Sequence, residues 1–335
     1  MAAYSGAPAY CGIGIGANVT PTVYVPYETV NPKTDMTEIT PKEHRGRLNT
    51  SYNTVRTYAD GKFDLKGVAY PEMGLEHLLF AALGTKASTK LGATVAYEHT
   101  ITEHQSTRPV LTAYTGLNTT DAAILPEKFA NGALEKLSLS IKDKEELKVD
   151  ASFIGTAIDL NTVKQVASYA TNPVPFVFPQ LSFKTDVYGG SGLAPDTRLT
   201  EFQVDITNSY ATQQIANGSM TYGERIPTEY SVSGKCTIVF DGLNEYKKWY
   251  GAVNATSPQT IPYFQNMQVG LVGNTIESTH KYELLMNFPK VQWTDLDFNR
   301  DDDIVKYSFS WVGLEDNVTN KVMDAKVVSR LTAIA

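Results

Sequence analysis

Cysteine is scarce in this sequence: Cys11 and Cys236 are the two among 335 residues. Two thiols so far apart exclude a disulfide framework and a four-cysteine zinc site, and both are expected to be free. Long hydrophobic runs are missing too, since no apolar stretch approaches the roughly 20 residues of a membrane-spanning helix. Met1-Ala2-Ala3-Tyr4-Ser5-Gly6 has neither the basic nor the apolar region of a secretory signal. The chain is therefore expected to be made in the cytoplasm and to have no membrane partner. The Asn-x-Ser/Thr triplets at Asn18, Asn118, Asn217, Asn254 and Asn317 are read as chance products of loops rich in Asn and Thr. Basic clusters are also lacking: 29 Lys and Arg against 36 Asp and Glu give a net charge of −7. Affinity for phosphate comes from clustered Lys and Arg, so a general nucleic-acid binder is excluded.

What is present is ordinary globular text, 42% hydrophobic and 19% charged, on a chain long enough for two domains with proper cores. The 19 tyrosines and 13 phenylalanines, with many Thr and Val, favour pleated, partly buried surfaces. An internal duplication is the main signal. Gly61-Lys62-Phe63-Asp64-Leu65 is followed by a helix-like segment from Pro71 to Gly84, then by Leu137 to Ile141, which turns back through Lys142 to Glu146 into Val149 to Gly155. Gly234-Lys235-Cys236-Thr237-Ile238 is followed by Leu243 to Gly251, then by Tyr282 to Val291, which turns back through Asp295 to Asp303 into Ile304 to Gly313. Two copies of one small module suggest an assembly that needs similar subunits side by side, and favour architecture over catalysis.

The first thirty residues, rich in Gly, Pro and Tyr, read as an arm that orders against something else. Ala59-Asp60-Gly61 reads as a hairpin turn between strands at Asn53–Tyr58 and Gly61–Val68. Leu75, Leu78, Leu79, Ala82 and Leu83 form one helical stripe, with Pro71 suited to the first turn and Gly84 to the C-cap. Residues 85–132 read as a long insert that contacts a neighbouring subunit. Lys136–Ile141 and Leu147–Phe153 alternate like a half-exposed hairpin, and Asn172-Pro173 closes the first domain. Beyond it come strands at Leu181–Tyr188 and Glu201–Asn208, a loop from Tyr210 to Pro227, and a strand at Tyr230–Phe240. Asp241 is expected to cap a short helix that ends at Gly251.

Chemical motifs are weak. Gly12-Ile13-Gly14-Ile15-Gly16 has the wrong spacing and context for a dinucleotide loop. Gly189-Gly190-Ser191-Gly192 reads as a hairpin turn and not as a nucleophile elbow. The Asp295–Asp303 run begins like a calcium loop, but Arg300 takes the glycine position and Lys306 the bidentate-glutamate position. His99 and His104, five apart, fall on opposite faces of a strand and read as exposed, not as a metal pair. Glu145 and Glu146 likewise point apart, which makes them poor acid–base partners. No catalytic set and no cofactor are expected.

The text from the N-terminal glycines through Arg45, Arg47 and Gly61, then Pro71-Glu72-Met73-Gly74-Leu75 to Leu83-Gly84, resembles the tail tube proteins of long-tailed bacteriophages. So do Leu181–Tyr188, Phe202–Asn208 and Glu229–Phe240. The resemblance implies a mainly β fold of two tandem tail-tube β-sandwich or barrel domains, each with one short α-helix. The expected division is an arm at 1–30, tube domain 1 at 31–175 with the insert 85–132, tube domain 2 at 176–317 and a tail at 318–335. It implies a structural virion protein whose homotrimers imitate sixfold rings and stack into a hollow tube for genome passage. Implied partners are further copies, the tape measure, tip and terminator proteins, and double-stranded DNA in transit without specific binding. The arm, insert and tail are expected to bridge rings. An acidic lining would repel phosphate, and Asp64, Asp150 and Asp205 are the candidates to face the lumen. A carbohydrate-binding β-sandwich or virion decoration protein, suggested by the aromatic content, stays open as an alternative.

Overall fold

The computed structural model describes residues 8–43, 45, 51, 53–117, 126–171, 174–215, 218–221, 224–299 and 304–334. The expected boundary at Asn172-Pro173, the triplets at Asn118 and Asn217, Arg47, and Arg300 to Asp303 of the charged turn lie outside them. Period-two alternation folds the first half into β1 (Pro8–Ile15), β2 (Val23–Tyr24), β3 (Thr29–Ile39), β4 (Val55–Val68), helix α1 (Leu75–Leu83), β5 (Gly84–Lys90), β6 (Tyr97–Glu103), β7 (Leu111–Leu117), β8 (Pro126–Lys142) and β9 (Lys148–Gly155). The second half holds β10 (Leu181–Val187), β11 (Ala194–Pro195), β12 (Leu199–Gln213), β13 (Glu224–Val239), α2 (Asn244–Trp249), β14 (Phe264–Glu277), β15 (His280–Asn299), β16 (Lys306–Gly313) and β17 (Asp324–Ser329). The fold is mainly β and every strand pair is antiparallel.

Strand pairing repeats between the halves. One sheet runs β3-β4-β9-β8 in the first half and β12-β13-β16-β15 in the second. A second sheet runs β2-β1-β7 onto the start of β8, and β11-β10-β14 onto the start of β15. Two bulges recur as well. The ladder slips between Thr37 and Glu38 on β3 as it does between Ser209 and Tyr210 on β12. It slips between Leu134 and Lys136 on β8 as it does between Trp293 and Asp295 on β15. A bulge bends its strand and fixes register, so two matching bulges align the halves residue by residue.

That alignment corrects the equivalence of the two Gly-Lys pairs. Phe63 stands opposite Phe153 and Gly234 opposite Trp311, so Ser152-Phe153-Ile154-Gly155 matches Ser310-Trp311-Val312-Gly313 and Phe63 matches Gly234. The ring volume is redistributed: Phe faces Phe in one half, and Trp faces a residue without a side chain in the other. A Cβ on Gly234 would lie 2.7 Å from the Trp311 ring and 2.1 Å from the Gln203 carbonyl oxygen.

The expected turn at Asp60-Gly61 is not formed, because β4 runs straight through it. A Cβ on Gly61 would lie 2.0 Å from the Thr156 carbonyl oxygen, so this glycine serves a close approach of two backbones and not a turn. Residues 8–15 are a core strand instead of a free arm: Tyr10, Cys11 and Ile13 are buried and β1 pairs with β7. β7, inside the expected insert, has β14 as its counterpart, which narrows the unmatched segment to β5 and β6. The expected loop at Tyr210–Pro227 is largely ladder, because β12 and β13 stay paired out to Gln213 and Glu224. The insert and tail pair with each other, β6 against β17, and β17 continues onto β15.

The α1 stripe is buried as read, and α1 packs on β8 and β6. Gly74 and Gly84 bound it, both at φ 105, where a side chain would be strained. Pro71 precedes the helix and does not open it. Leu243, not Asp241, occupies the N-cap of α2, while Asp241 pairs with Arg198. One core joins the halves: Phe63, Leu79, Leu137, Phe153, Phe202, Val204, Phe288 and Trp311 belong to a single buried cluster.

Candidate assembly interface

The two four-stranded sheets are joined edge to edge. β8 pairs with β12 over seven positions from Lys136↔Thr207 to Lys142↔Glu201, which makes one eight-stranded sheet in the order β3-β4-β9-β8-β12-β13-β16-β15. The buried sets Leu137, Leu139, Ile141 and Phe202, Val204, Ile206 face the core across this joint. The bulge at Glu135 frees the Leu134 carbonyl, which accepts hydrogen bonds from Asn208 Nδ2 at 3.3 Å and the Tyr210 hydroxyl at 3.2 Å. Asn208 also donates to the Ala82 carbonyl at the end of α1 and accepts from Arg108 Nε at 3.0 Å. A buried amide thus holds the first helix, the joint and the loop after β6 together.

The other face of the sheet is polar and carries all three predicted carboxylates. Side chains alternate across a strand, so one cross-strand row reads Lys66, Asp150, Ser138, Asp205, Ser233 and the next reads Asp64, Ser152, Lys136, Thr207, Ser231. Asp150 pairs with Lys66 at 2.6 Å and Asp205 with Lys136 at 3.5 Å. Asp205 also accepts from Gln203 Nε2 at 3.1 Å. Asp64 makes no ion pair among the described residues. Lys142 bridges the joint to Glu201 at 3.0 Å, and Lys33 and Lys62 both reach Asp35.

Sequence reasoning missed the lysines: the three carboxylates lie on a surface of alternating sign. The alternation Asp60, Lys62, Asp64, Lys66 was visible in the text. The hydrogen bonds from Lys33 and then Lys62 hold the Asp35 carboxyl below its usual range, and the bond that Lys66 donates to Asp150 raises the Lys66 ammonium. These exposed pairs set surface pattern more than stability.

Among the described residues the sheet has two open ends, because β3 pairs only with β4 and residues 295–299 of β15 pair only with β16. Their matching residues at the inner joint are buried, but here Val30, Pro32, Thr34, Leu296 and Phe298 are only half-buried. An edge strand with unpaired backbone groups is a template for another chain.

Little else suggests chemistry. His99 is fully buried, with Nδ1 2.8 Å from the Ser88 hydroxyl, and His104 accepts backbone bonds from Ser106 and Thr107. Both histidines were expected to be exposed, and burial corrects that for His99. Among the described residues no three His, Cys, Asp or Glu side chains are grouped to hold a metal. Gly12 and Gly14 approach Pro21 and Thr20 closely and do not cradle a phosphate. Both cysteines are buried and free, and burial pushes the Cys11 thiol up to about 12. Among the described residues no helix is long and apolar enough to cross a membrane.

A search of curated proteins finds no match. A family model described as phage tail tube protein matches residues 12–313.

Proposed function

The chain belongs to the phage tail tube protein family, and from that premise we propose that three copies close into a ring with pseudo-sixfold symmetry whose stacking builds the tube. Its role is structural, in the virion tail. The observation that carries the proposal is the inner joint: β8 and β12 already show how one module docks on the next, and the open ends, β15 and β3, are their counterparts. Two tube units, with residues 31–175 in the first and 176–317 in the second, make every second joint of the ring intramolecular. An intramolecular joint benefits from an effective concentration in the millimolar range. We extend the first unit to include β1 and β2, which match β10 and β11.

Three eight-stranded sheets give about 24 strands. At roughly 4.8 Å per strand the girth is about 115 Å and the diameter about 37 Å before tilt widens it. Barrels of 16–18 strands already leave an aqueous channel. The polar face, with Asp64, Asp150 and Asp205 among lysines, lines the bore. Its paired charges offer phosphate no basic track, in keeping with double-stranded DNA passing without being held. Assembly in the host cytoplasm, around a tape measure and between tip and terminator proteins, completes the reading. The large aromatics that suggested a glycan-binding sandwich include core residues such as Trp311 and Tyr307, so no observation favours that alternative.

Negative-stain electron microscopy of the purified protein tests the proposal. Rings with threefold symmetry, or tubes of them, are expected. A sample that stays monomeric at every concentration, with tail-tip protein supplied, overturns it.

A further inference from the structure

The inner joint can be transferred, residue by residue, to the two open ends. The matching bulges align Lys136 with Asp295, Leu137 with Leu296, Ser138 with Asp297, Leu139 with Phe298 and Ser140 with Asn299. They align Gln203 with Asn31, Val204 with Pro32, Asp205 with Lys33, Ile206 with Thr34 and Thr207 with Asp35. At the inner joint Ser138 stands opposite Asp205 and Leu139 opposite Val204.

We propose that a second copy of this chain lays its β3 antiparallel on residues 295–299 of β15, in the register that sets Lys33 opposite Asp297 and Pro32 opposite Phe298. This rests on the ring reading above and specifies the contact. Half-buried Leu296 and Phe298 then become covered by Thr34 and Pro32, as Leu137 and Leu139 are covered by Ile206 and Val204 at the inner joint. The matching bulges select this register, in which Asp35 stands opposite Asp295 and keeps Lys62 as its cation. A two-residue slip in one direction would set Asp297 against Asp35 and take Lys33 away from Asp297, while a one-residue slip would turn the polar side chains into the core. A two-residue slip the other way pairs Lys33 with Asp295, leaves Asp297 opposite Asn31 and loses the match of bulges. In the protomer Lys33 lies 2.5 Å from Asp35, which Lys62 also holds at 3.1 Å, so Lys33 can swing to Asp297 while Asp35 keeps a cation.

The outer joint is also built more loosely than the inner one. Pro32 has no N–H where Val204 has one, and exposed Met36 stands where Asn208 ties the inner joint to α1. The outer joint therefore opens while the inner one stays closed, which lets protomers exist before rings.

Cysteine pairs read the register directly. Directly opposed residues have Cα atoms about 4.5–5.5 Å apart, within disulfide range, whereas a two-residue offset moves them outside it. The native Cys11 and Cys236 are fully buried and stay silent. Lys33→Cys with Asp297→Cys, assembled and then oxidised with copper phenanthroline in air, is expected to give intermolecular disulfides on a non-reducing gel. Its yield should exceed that of Lys33→Cys with Asp295→Cys, or Asp35→Cys with Asp297→Cys, by at least about tenfold. Rings that cross-link best through either of those other pairs overturn the register and leave the ring reading intact. Absence of rings in the unmodified protein overturns both. As a check free of cysteine, Lys33→Asp should raise the assembly threshold about tenfold and Lys33→Asp with Asp297→Lys should restore it. Failure of that rescue in folded protein counts against the pairing.

Discussion

Gly234→Ala should destabilise the protein far more than a single methyl group suggests. The new Cβ would lie 2.1 Å from the Gln203 carbonyl oxygen and 2.7 Å from Trp311 Cζ2. The carbonyl belongs to β12, paired with β13 at Val204↔Gly234, so it cannot rotate away without breaking that ladder. Trp311 is 1% exposed and stacks on Phe202 at 6.1 Å, so its ring has nowhere to go. Overpacking of this kind costs about 3 kcal/mol, the upper end of the usual range, because both obstacles are fixed. With an unfolding entropy of roughly 2.1 cal/mol/K per residue over 335 residues, the midpoint should fall by about 4 °C if the chain unfolds as one unit. Differential scanning calorimetry measures it, with Gly192→Ala as control, since that Cβ meets nothing nearer than 3.8 Å. Trp311→Phe should relieve only part of the cost, because the carbonyl clash remains. A midpoint within about 1 °C of the parent would refute the reasoning that Gly234 is there to admit the Trp311 ring.

Two pH effects follow from single carboxylates. Bonds from the Thr319 hydroxyl at 2.6 Å and the Tyr188 hydroxyl at 2.7 Å hold Asp316 down to about 2. Its contribution is present above the unfolded carboxylate value near 3.9 and is lost as pH falls through about 2. Asp316→Asn should flatten the loss of stability between about pH 4 and 2 in acid titration, and an unchanged slope would count against the bonds. Glu76 is fully buried on α1, and burial raises its carboxyl although the Glu72 N–H donates to it at 2.9 Å. A raised carboxyl weakens the fold as pH rises past the unfolded value towards the folded one. Glu76→Gln should therefore gain thermal stability relative to the parent at pH 8 and lose that advantage near pH 4. An equal difference at both pH values would refute the assignment.

The two short helices, the Gly84 C-cap of α1 and the buried faces of β4, β8, β9 and β12 were legible in the text, because period-two and period-3.6 spacing state directly which side chains share a face. The arm and the insert were not. β1 is paired by β7, about a hundred residues away, and Gly12 and Gly14 look like loop glycines until Pro21 and Thr20 are seen pressed against them. Of the candidate site, Asp64, Asp150 and Asp205, named from the sequence as lumen-facing candidates, lie on one polar face of the sheet. Their lysine partners come from neighbouring strands that no local pattern names.

By itself the sequence determined that this chain is β-rich and carries a repeated strand–helix–hairpin pattern. Only the tertiary structure decided the register between the copies, the joint of β8 with β12 and the two edges left open. Alternation repeats every second residue, so it is unchanged by a slip of two and silent about which strand lies alongside. Absence of a side chain reads the same at a turn as at a close approach, and so Gly61 was taken for a corner until its backbone neighbour came into view.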